Sequence, residues 1–206
     1  MRWLRGCRRV KILLGLPLAL LLVTCCFGAD SLAVYQVGAR DQQPWTAFKD
    51  FFKEKGYDVL FQQGETTTDK HFERIGKINR GPAKFLLAME MVFGEDGSML
   101  VAMTDQKGSE ASQGAGSNPL SESGNRFVRI DELPARYASE SGRLAEAVAA
   151  AFKVKVKHLS LFPLVGVDMP GIFLRIECRP DKAREMFGLL HGSIQTYLRR
   201  DVPHER

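Results

Sequence analysis

Short apolar runs alternate along the chain with segments of helical periodicity. Residues 32–37, 57–61 and 85–93 are compact apolar or β-branched runs, which predict strands. Between them, apolar residues recur every three or four positions, which predicts helices over about 44–55 and 69–79. A strand–helix–strand order with short links predicts right-handed crossovers and a largely parallel sheet. The mostly apolar third strand is typical of a central strand that helices cover on both faces. We therefore expect an α/β fold.

Four helices have predicted buried faces and, in places, recognisable ends. Pro44 suits the first turn of the first helix, and Gly56 suits its C-terminal end. Asp69 is a candidate N-cap for the second helix. A third helix is predicted after Ser141 and a last one over about residues 180–198. The predicted core positions are, in chain order, Trp45, Phe48 and Phe52; Phe72, Ile75 and Ile78; Leu144, Ala145, Val148, Ala149 and Phe152; and Ala183, Phe187, Leu190, Ile194 and Tyr197.

A polar stretch interrupts the second half of the chain. A turn at 94–97 leads into a predicted strand at 99–104, and another strand is predicted at 172–176. Residues 105–125 are rich in Gly, Ser, Gln and Asn, which predicts a flexible surface loop rather than a domain boundary.

The N-terminus has the pattern of a secretory signal peptide over residues 1–28. Five positive charges precede an apolar run at 12–27, which is short for a spanning helix, and small residues precede Ala29 as a cleavage site would require. We expect the mature chain to be one soluble domain over 29–206, exported to the periplasm or cell envelope and without a membrane span. An uncleaved anchor and a lipoprotein signal with Cys25 as the modified residue are the alternatives, and the Arg8-Arg9 pair is a weak twin-arginine signal.

Removing this signal changes the charge and the cysteine content. The whole chain has 29 Lys and Arg against 24 Asp and Glu, and the five cations before residue 12 account for the whole net charge of +5. The mature domain is therefore formally neutral, which argues against a nucleic-acid partner. Of four cysteines only Cys178 remains, so an intramolecular disulfide is excluded. We expect Cys178 to be a buried, inert thiol.

Several motifs occur in the order found in one enzyme family. They are Lys55-Gly-Tyr-Asp-Val59, Thr68-Asp69, Arg74-Ile-Gly-Lys-Ile-Asn79, Phe85-Leu-Leu-Ala-Met-Glu90, Ser141-Gly-Arg-Leu-Ala-Glu-Ala-Val148 and Met169-Pro-Gly-Ile-Phe-Leu174. Together they resemble the zinc-dependent N-acetylmuramoyl-L-alanine amidases, which cut bacterial peptidoglycan. The resemblance covers most of residues 32–199. It implies a central, mostly parallel sheet flanked by helices on both faces.

The resemblance also implies a zinc ion held by two His and a Glu, with a second Glu as general base, and these residues are missing. Glu90 stands where the family has its second zinc-binding His, and Arg175 stands where it has the catalytic Glu. The turn at 37–40 lacks the family's first His, and no Glu occurs over 41–44. A catalytic zinc needs about three protein ligands, and an arginine stays protonated at neutral pH. We therefore expect no metal and no confident catalytic residue. An Arg175–Glu90 ion pair would occupy the degenerate site.

Other candidate residues offer weaker alternatives. Glu177 lies two residues beyond Arg175 and would reach the catalytic position only if a bulge displaced it; otherwise it is a strand-end carboxylate. None of the four histidines, His71, His158, His191 and His204, falls at a ligand position of the family. We expect each of them at a surface or an interface. Arg74 and Asn79 match the family but are expected to support the fold.

These observations favour an exported, catalytically inactive amidase-like protein that binds peptidoglycan or another envelope protein. The loop at 105–125 would lie near the mouth of the former active site. One alternative is an active metal-dependent amidase in which Glu90, Glu177 and rearranged histidines hold zinc. The other is a structural or assembly protein of the envelope that does not contact the wall. A fold alone does not decide between them.

Overall fold

The computed structural model describes residues 30–38, 42–65, 67–95, 97–105 and 129–200. The predicted signal peptide lies outside these residues, as does the predicted loop after Asp105. The strands are β1 (Ser31–Gln36), β2 (Asp58–Gln63), β3 (Leu86–Phe93), β4 (Ser98–Thr104), β5 (Val156–Leu159) and β6 (Gly171–Cys178). The helices are α1 (Gln43–Glu54), α2 (Thr68–Asn79), α3 (Ala138–Phe152) and α4 (Ala183–Arg200).

The six strands form one sheet in the order β2-β1-β3-β6-β4-β5. Strands β2, β1, β3 and β6 are parallel to one another, whereas β4 is antiparallel to β6 and parallel to β5. The predicted α/β class with a largely parallel sheet is confirmed.

The chain between β3 and β4 crosses the end of β6, because β6 lies between these two strands in the sheet. Gly94 is at this crossing, and its N–H donates to the carbonyl oxygen of Cys178. A Cβ on Gly94 would lie 2.6 Å from a carboxylate oxygen of Glu177, so a larger residue there would require the Glu177 side chain to move.

Helices cover both faces of the sheet. Helices α1, α3 and α4 pack on one face, while α2 and the 3-10 turn Phe162–Leu164 pack on the other. On the first face Trp45, Phe48 and Phe52 are fully buried, and all five predicted stripe positions of α4 are buried. The predicted faces of α1 and α4 are therefore confirmed. In α3, Phe152 is only partly buried and packs at the margin of the core.

The buried face of α2 differs from the prediction. His71, Ile75 and Ile78 are buried, and Phe72 is only partly so. The positions i, i+4 and i+7 face the sheet, which places His71 in the core, and the expectation of a surface or interface imidazole is wrong. Asp69 is also not the N-cap; it lies in the first turn, where its charge suits the helix dipole.

His71 is satisfied in the core by two hydrogen bonds. Its Nε2 lies 3.1 Å from the carbonyl oxygen of Val165, which can only accept, so Nε2 carries the proton. Its Nδ1 then accepts from the Tyr35 hydroxyl at 2.8 Å, and this hydroxyl accepts from the Glu65 N–H. A neutral imidazole completes the chain of bonds, and burial lowers the pKa of His71, partly offset by the bond to Val165.

Candidate functional site

The site predicted from the sequence lies where the two central strands β3 and β6 run side by side. Glu90 and Arg175 are direct partners in the register of this parallel pair. Arg175 Nε lies 3.6 Å from Glu90 Oε2, with 51% and 28% of the two side chains exposed. The structure therefore brings the two residues together, and the predicted ion pair is formed.

Two neighbouring strands bound this ion pair. Gly38, with φ +81°, follows β1, and a Cβ there would lie 3.2 Å from both Cγ and Oε1 of Glu90. On the other side of β6, Leu100 of β4 is the register partner of Arg175. The glycine lets the chain after β1 come against the carboxylate. The sequence alone does not indicate this role of Gly38, because the approach depends on the pairing of β1 with β3.

Glu177 lies near the pair but does not join it. The register of β6 with β3 is continuous from Gly171 to Cys178, so no inserted residue displaces Glu177 toward the position of Arg175. Ser98 of β4 is its register partner there, and the Ser98 hydroxyl donates to Glu177 at 3.3 Å. The carboxylate is thus held at the end of β6.

The histidines that the structure describes are in three different places. His71 is in the core beneath α2, and His158 is exposed on β5. His191 packs against the rings of Phe51 and Tyr57 on the opposite face of the sheet, and burial together with the nearby charge of Lys55 lowers its pKa. His204 lies outside the described residues.

Among the described residues, the side chains at this site do not include the three ligands that a catalytic zinc needs. Within the described ranges, no three His, Cys, Asp or Glu side chains are grouped so that they could hold a metal ion. At the position that the resemblance assigns to zinc, one carboxylate of Glu90 faces a permanent cation, Arg175. That cation would repel a divalent ion and cannot accept a proton from water at neutral pH.

Asn79 and Arg74, which match the family's motif, make structural contacts. The Asn79 amide donates to the Gly166 carbonyl at 2.8 Å and accepts from the Asp168 N–H at 3.0 Å. Arg74 donates to Glu65 at 3.3 Å. Asn79 therefore ties the end of α2 to the segment that leads into β6.

The predicted loop begins away from the ion pair. Asp105 donates its N–H to the Leu159 carbonyl just beyond the end of β4. Thr104 is four residues beyond Leu100, which corresponds to about 13 Å along a strand. The rest of the loop, and with it the predicted place at the mouth of the site, lies outside the described residues. Within those residues, no helix combines the length and apolar character that a bilayer span requires.

No family model and no curated protein sequence matches this chain. Among solved structures, it is similar to the N-acetylmuramoyl-L-alanine amidase AmiC2 of Nostoc punctiforme, with 12% identity and a TM-score of 0.48 over 84% of this chain and 100% of that one. It is also similar to the catalytic domain of CwlV, an N-acetylmuramoyl-L-alanine amidase from Bacillus (Paenibacillus) polymyxa var. colistinus, with 9% identity and a TM-score of 0.48 over 82% and 98% of the two chains. A third is the catalytic domain of the CD27L endolysin targeting Clostridia difficile, at 10% identity, a TM-score of 0.46 and coverages of 81% and 97%. Identities of 9–12% leave the chemistry of this chain to be decided by its own residues.

Proposed function

We propose that the protein is an exported, catalytically inactive relative of the zinc-dependent N-acetylmuramoyl-L-alanine amidases that acts as a binding module in the cell envelope. The observation that carries the proposal is the ion pair of Glu90 and Arg175 at the position that the motif resemblance assigns to the zinc ion and its general base. An amidase of this kind activates water on zinc, and the pair supplies neither the ligands nor the base.

Binding is proposed because the scaffold around the degenerate site is intact. Strands β1, β3 and β6 lie side by side in one sheet, and the Glu90–Arg175 pair is partly open to solvent. A rigid sheet that presents charged groups at its surface is suited to hold a ligand without transforming it. The ligand would be peptidoglycan or another envelope protein.

Purified mature chain, beginning at Ala29, would be incubated with isolated sacculi in buffer containing zinc. Pelleting measures binding, and chromatography of the supernatant measures the release of wall peptides. We expect the protein in the pellet and no released peptide. Release of peptide would show an active amidase, whereas protein that stays wholly in the supernatant would favour the structural or assembly alternative.

A matched pair of variants locates the binding surface. Arg175→Gln removes the cation of the degenerate site, and Arg184→Gln removes an exposed arginine of α4 that pairs with Glu54. If the degenerate site contacts the wall, the first variant pellets less than the parent chain and the second pellets equally. Equal pelleting of all three would place the contact elsewhere on the protein.

A further inference from the structure

A cleft of about 610 Å³ lies on the sheet surface beside the degenerate site. Strands β6, β4 and the start of β5 form its floor, with β4 in the middle. Three cations line it: Arg175 from β6, and Lys155 and Lys157 from the β5 segment. Glu177 is the only acidic residue among its described lining residues.

The strand register places these cations on one face. Leu100 of β4 is the partner of Arg175, and Ala102 of β4 is the partner of both Phe173 and Lys157. Residues two apart on a strand share a face, so Arg175, Leu100 and Lys157 lie on the same side of the sheet. Lys155, immediately before β5, lines the same cleft. Two strand spacings separate β6 from β5, which is about 10 Å. Cations at this distance can contact one small ligand from both sides.

Charges within the described residues leave this cleft positive. Glu177 keeps its negative charge while it accepts from the Ser98 hydroxyl, so the three cations of the lining exceed its one carboxylate by two. Glu90 contacts Arg175 from outside the cleft. Lys155 and Lys157 are both exposed, and neither forms an ion pair with another residue of the described ranges. Because β5 is an edge strand, lysines there also discourage pairing with another chain. That role does not account for Arg175, which lies two strands further in.

We infer that this cleft is a binding site for a ligand that carries carboxylate or phosphate groups. A guanidinium offers a planar pair of N–H donors to an oxyanion, and two ammonium groups add charge-assisted hydrogen bonds from the other side. This inference does not depend on whether the protein binds the wall.

The test uses inorganic phosphate and citrate as probes, titrated into the mature chain at low ionic strength and followed by NMR shifts and calorimetry. We expect saturable binding that weakens as sodium chloride is added. Binding of both probes indicates a general oxyanion site. Binding of phosphate alone, or of citrate alone, identifies the anionic group that the cleft recognises as phosphate or carboxylate. Failure of both probes to bind overturns the inference, even if the protein pellets with sacculi.

Charge variants distinguish a site from general electrostatic attraction. The double variant Lys155→Gln with Lys157→Gln is expected to weaken binding about fivefold or more, on the order of one lost charge-assisted contact. The matched control, Lys53→Gln with Lys70→Gln, removes two exposed lysines from α1 and α2 and is expected to bind like the parent. Equal weakening in both double variants would show an effect of net charge and overturn the inference.

Two further variants refine the same measurement. Lys155→Arg with Lys157→Arg keeps both charges and is expected to retain binding, which guards against a loss caused by altered folding. Glu90→Gln frees Arg175 from its internal partner and is expected to tighten binding of the probes. Weaker binding by Glu90→Gln would contradict a role for the Arg175 guanidinium as a donor to the ligand.

Discussion

The Tyr35 hydroxyl lies 2.8 Å from His71 Nδ1, so one hydrogen bond in the core joins β1 to α2. The same hydroxyl accepts the Glu65 N–H. Replacing Tyr35 with Phe keeps the ring but leaves a buried imidazole nitrogen and a partly buried N–H without partners. We expect a loss of about 1–3 kcal/mol in the free energy of unfolding. Urea denaturation measures it, and a change below about 0.5 kcal/mol would show that the bond is not formed.

Stability is expected to fall in mildly acidic solution because of His71. Burial lowers its pKa in the folded state below the ordinary value of 6.5. Between that value and the lower folded one, the unfolded chain binds a proton that the folded chain does not, so acid favours unfolding. The stabilisation is therefore complete above about pH 6.5 and is lost as the pH falls toward the folded pKa.

Unfolding free energies at pH 7.5, 6.5 and 5.5 measure this effect. His71→Gln should show a shallower decline between pH 6.5 and 5.5 than the parent. His191→Gln is the matched comparison, because the pKa of His191 is lowered too, by burial and by Lys55. A decline that is unchanged in His71→Gln would contradict the assignment to His71.

The Glu90–Arg175 pair is expected to contribute little to stability. With 51% of the Arg175 side chain exposed and 3.6 Å between the charged atoms, water screens the attraction. A double-mutant cycle of Glu90→Gln and Arg175→Gln should give a coupling of about 0.2–1 kcal/mol. The surface pair Glu73–Lys77, at 2.7 Å on α2, is a reference cycle. A coupling energy of zero between Glu90 and Arg175 would show that the two charges do not interact in solution.

Cys178 is expected to be unreactive in the folded protein. It is 3% exposed at the end of β6, and burial raises the pKa of its thiol, so little thiolate is present at neutral pH. An aromatic disulfide reagent should modify it only after denaturant is added. Rapid modification of the native mature chain would show that the end of β6 opens readily.

The local sequence pattern is sufficient to predict the buried faces of helices in which large apolar residues recur regularly. Trp45, Phe48 and Phe52 in α1 and the stripe of α4 were predicted because large apolar residues recur there at helical spacing. In α2 the choice between His71 and Phe72 depended on contacts from residues far along the chain. The Val165 carbonyl accepts a hydrogen bond from His71, and the ring centroids of Phe162 and His71 are 4.3 Å apart. Helical periodicity and side-chain polarity alone predict that Phe72, rather than His71, faces the core.

The second half of the sheet was harder to predict. Strand β5 has only four residues and an exposed lysine between Val156 and His158, so its composition resembles a solvated segment as much as a strand. The turn at 94–97 indicates that β4 runs antiparallel to β3, but no local pattern indicates that β6 lies between the two strands. After β5, the chain forms a 3-10 turn at Phe162–Leu164 before it enters β6.

The central pair of the site could be predicted and its surroundings could not. Glu90 and Arg175 lie in apolar strands whose order followed from the motif resemblance, so their pairing was a direct consequence of parallel register. The cleft beside Arg175 requires β4 and β5 to lie next to β6, and Lys155 and Lys157 reach it only through that order. Long-range strand order, which sequence periodicity does not encode, therefore determines the proposed oxyanion site.

In the proposed function, the Arg175 guanidinium beside Glu90 stands in place of the groups that would hold and use zinc, so the protein should not retain the metal. Equilibrium dialysis of the purified mature chain against zinc at neutral pH, followed by elemental analysis, tests it directly. We expect far less than one zinc ion bound per chain, with no difference between the parent and Glu90→Gln. One tightly bound zinc ion per chain that Glu90→Gln abolishes would contradict it.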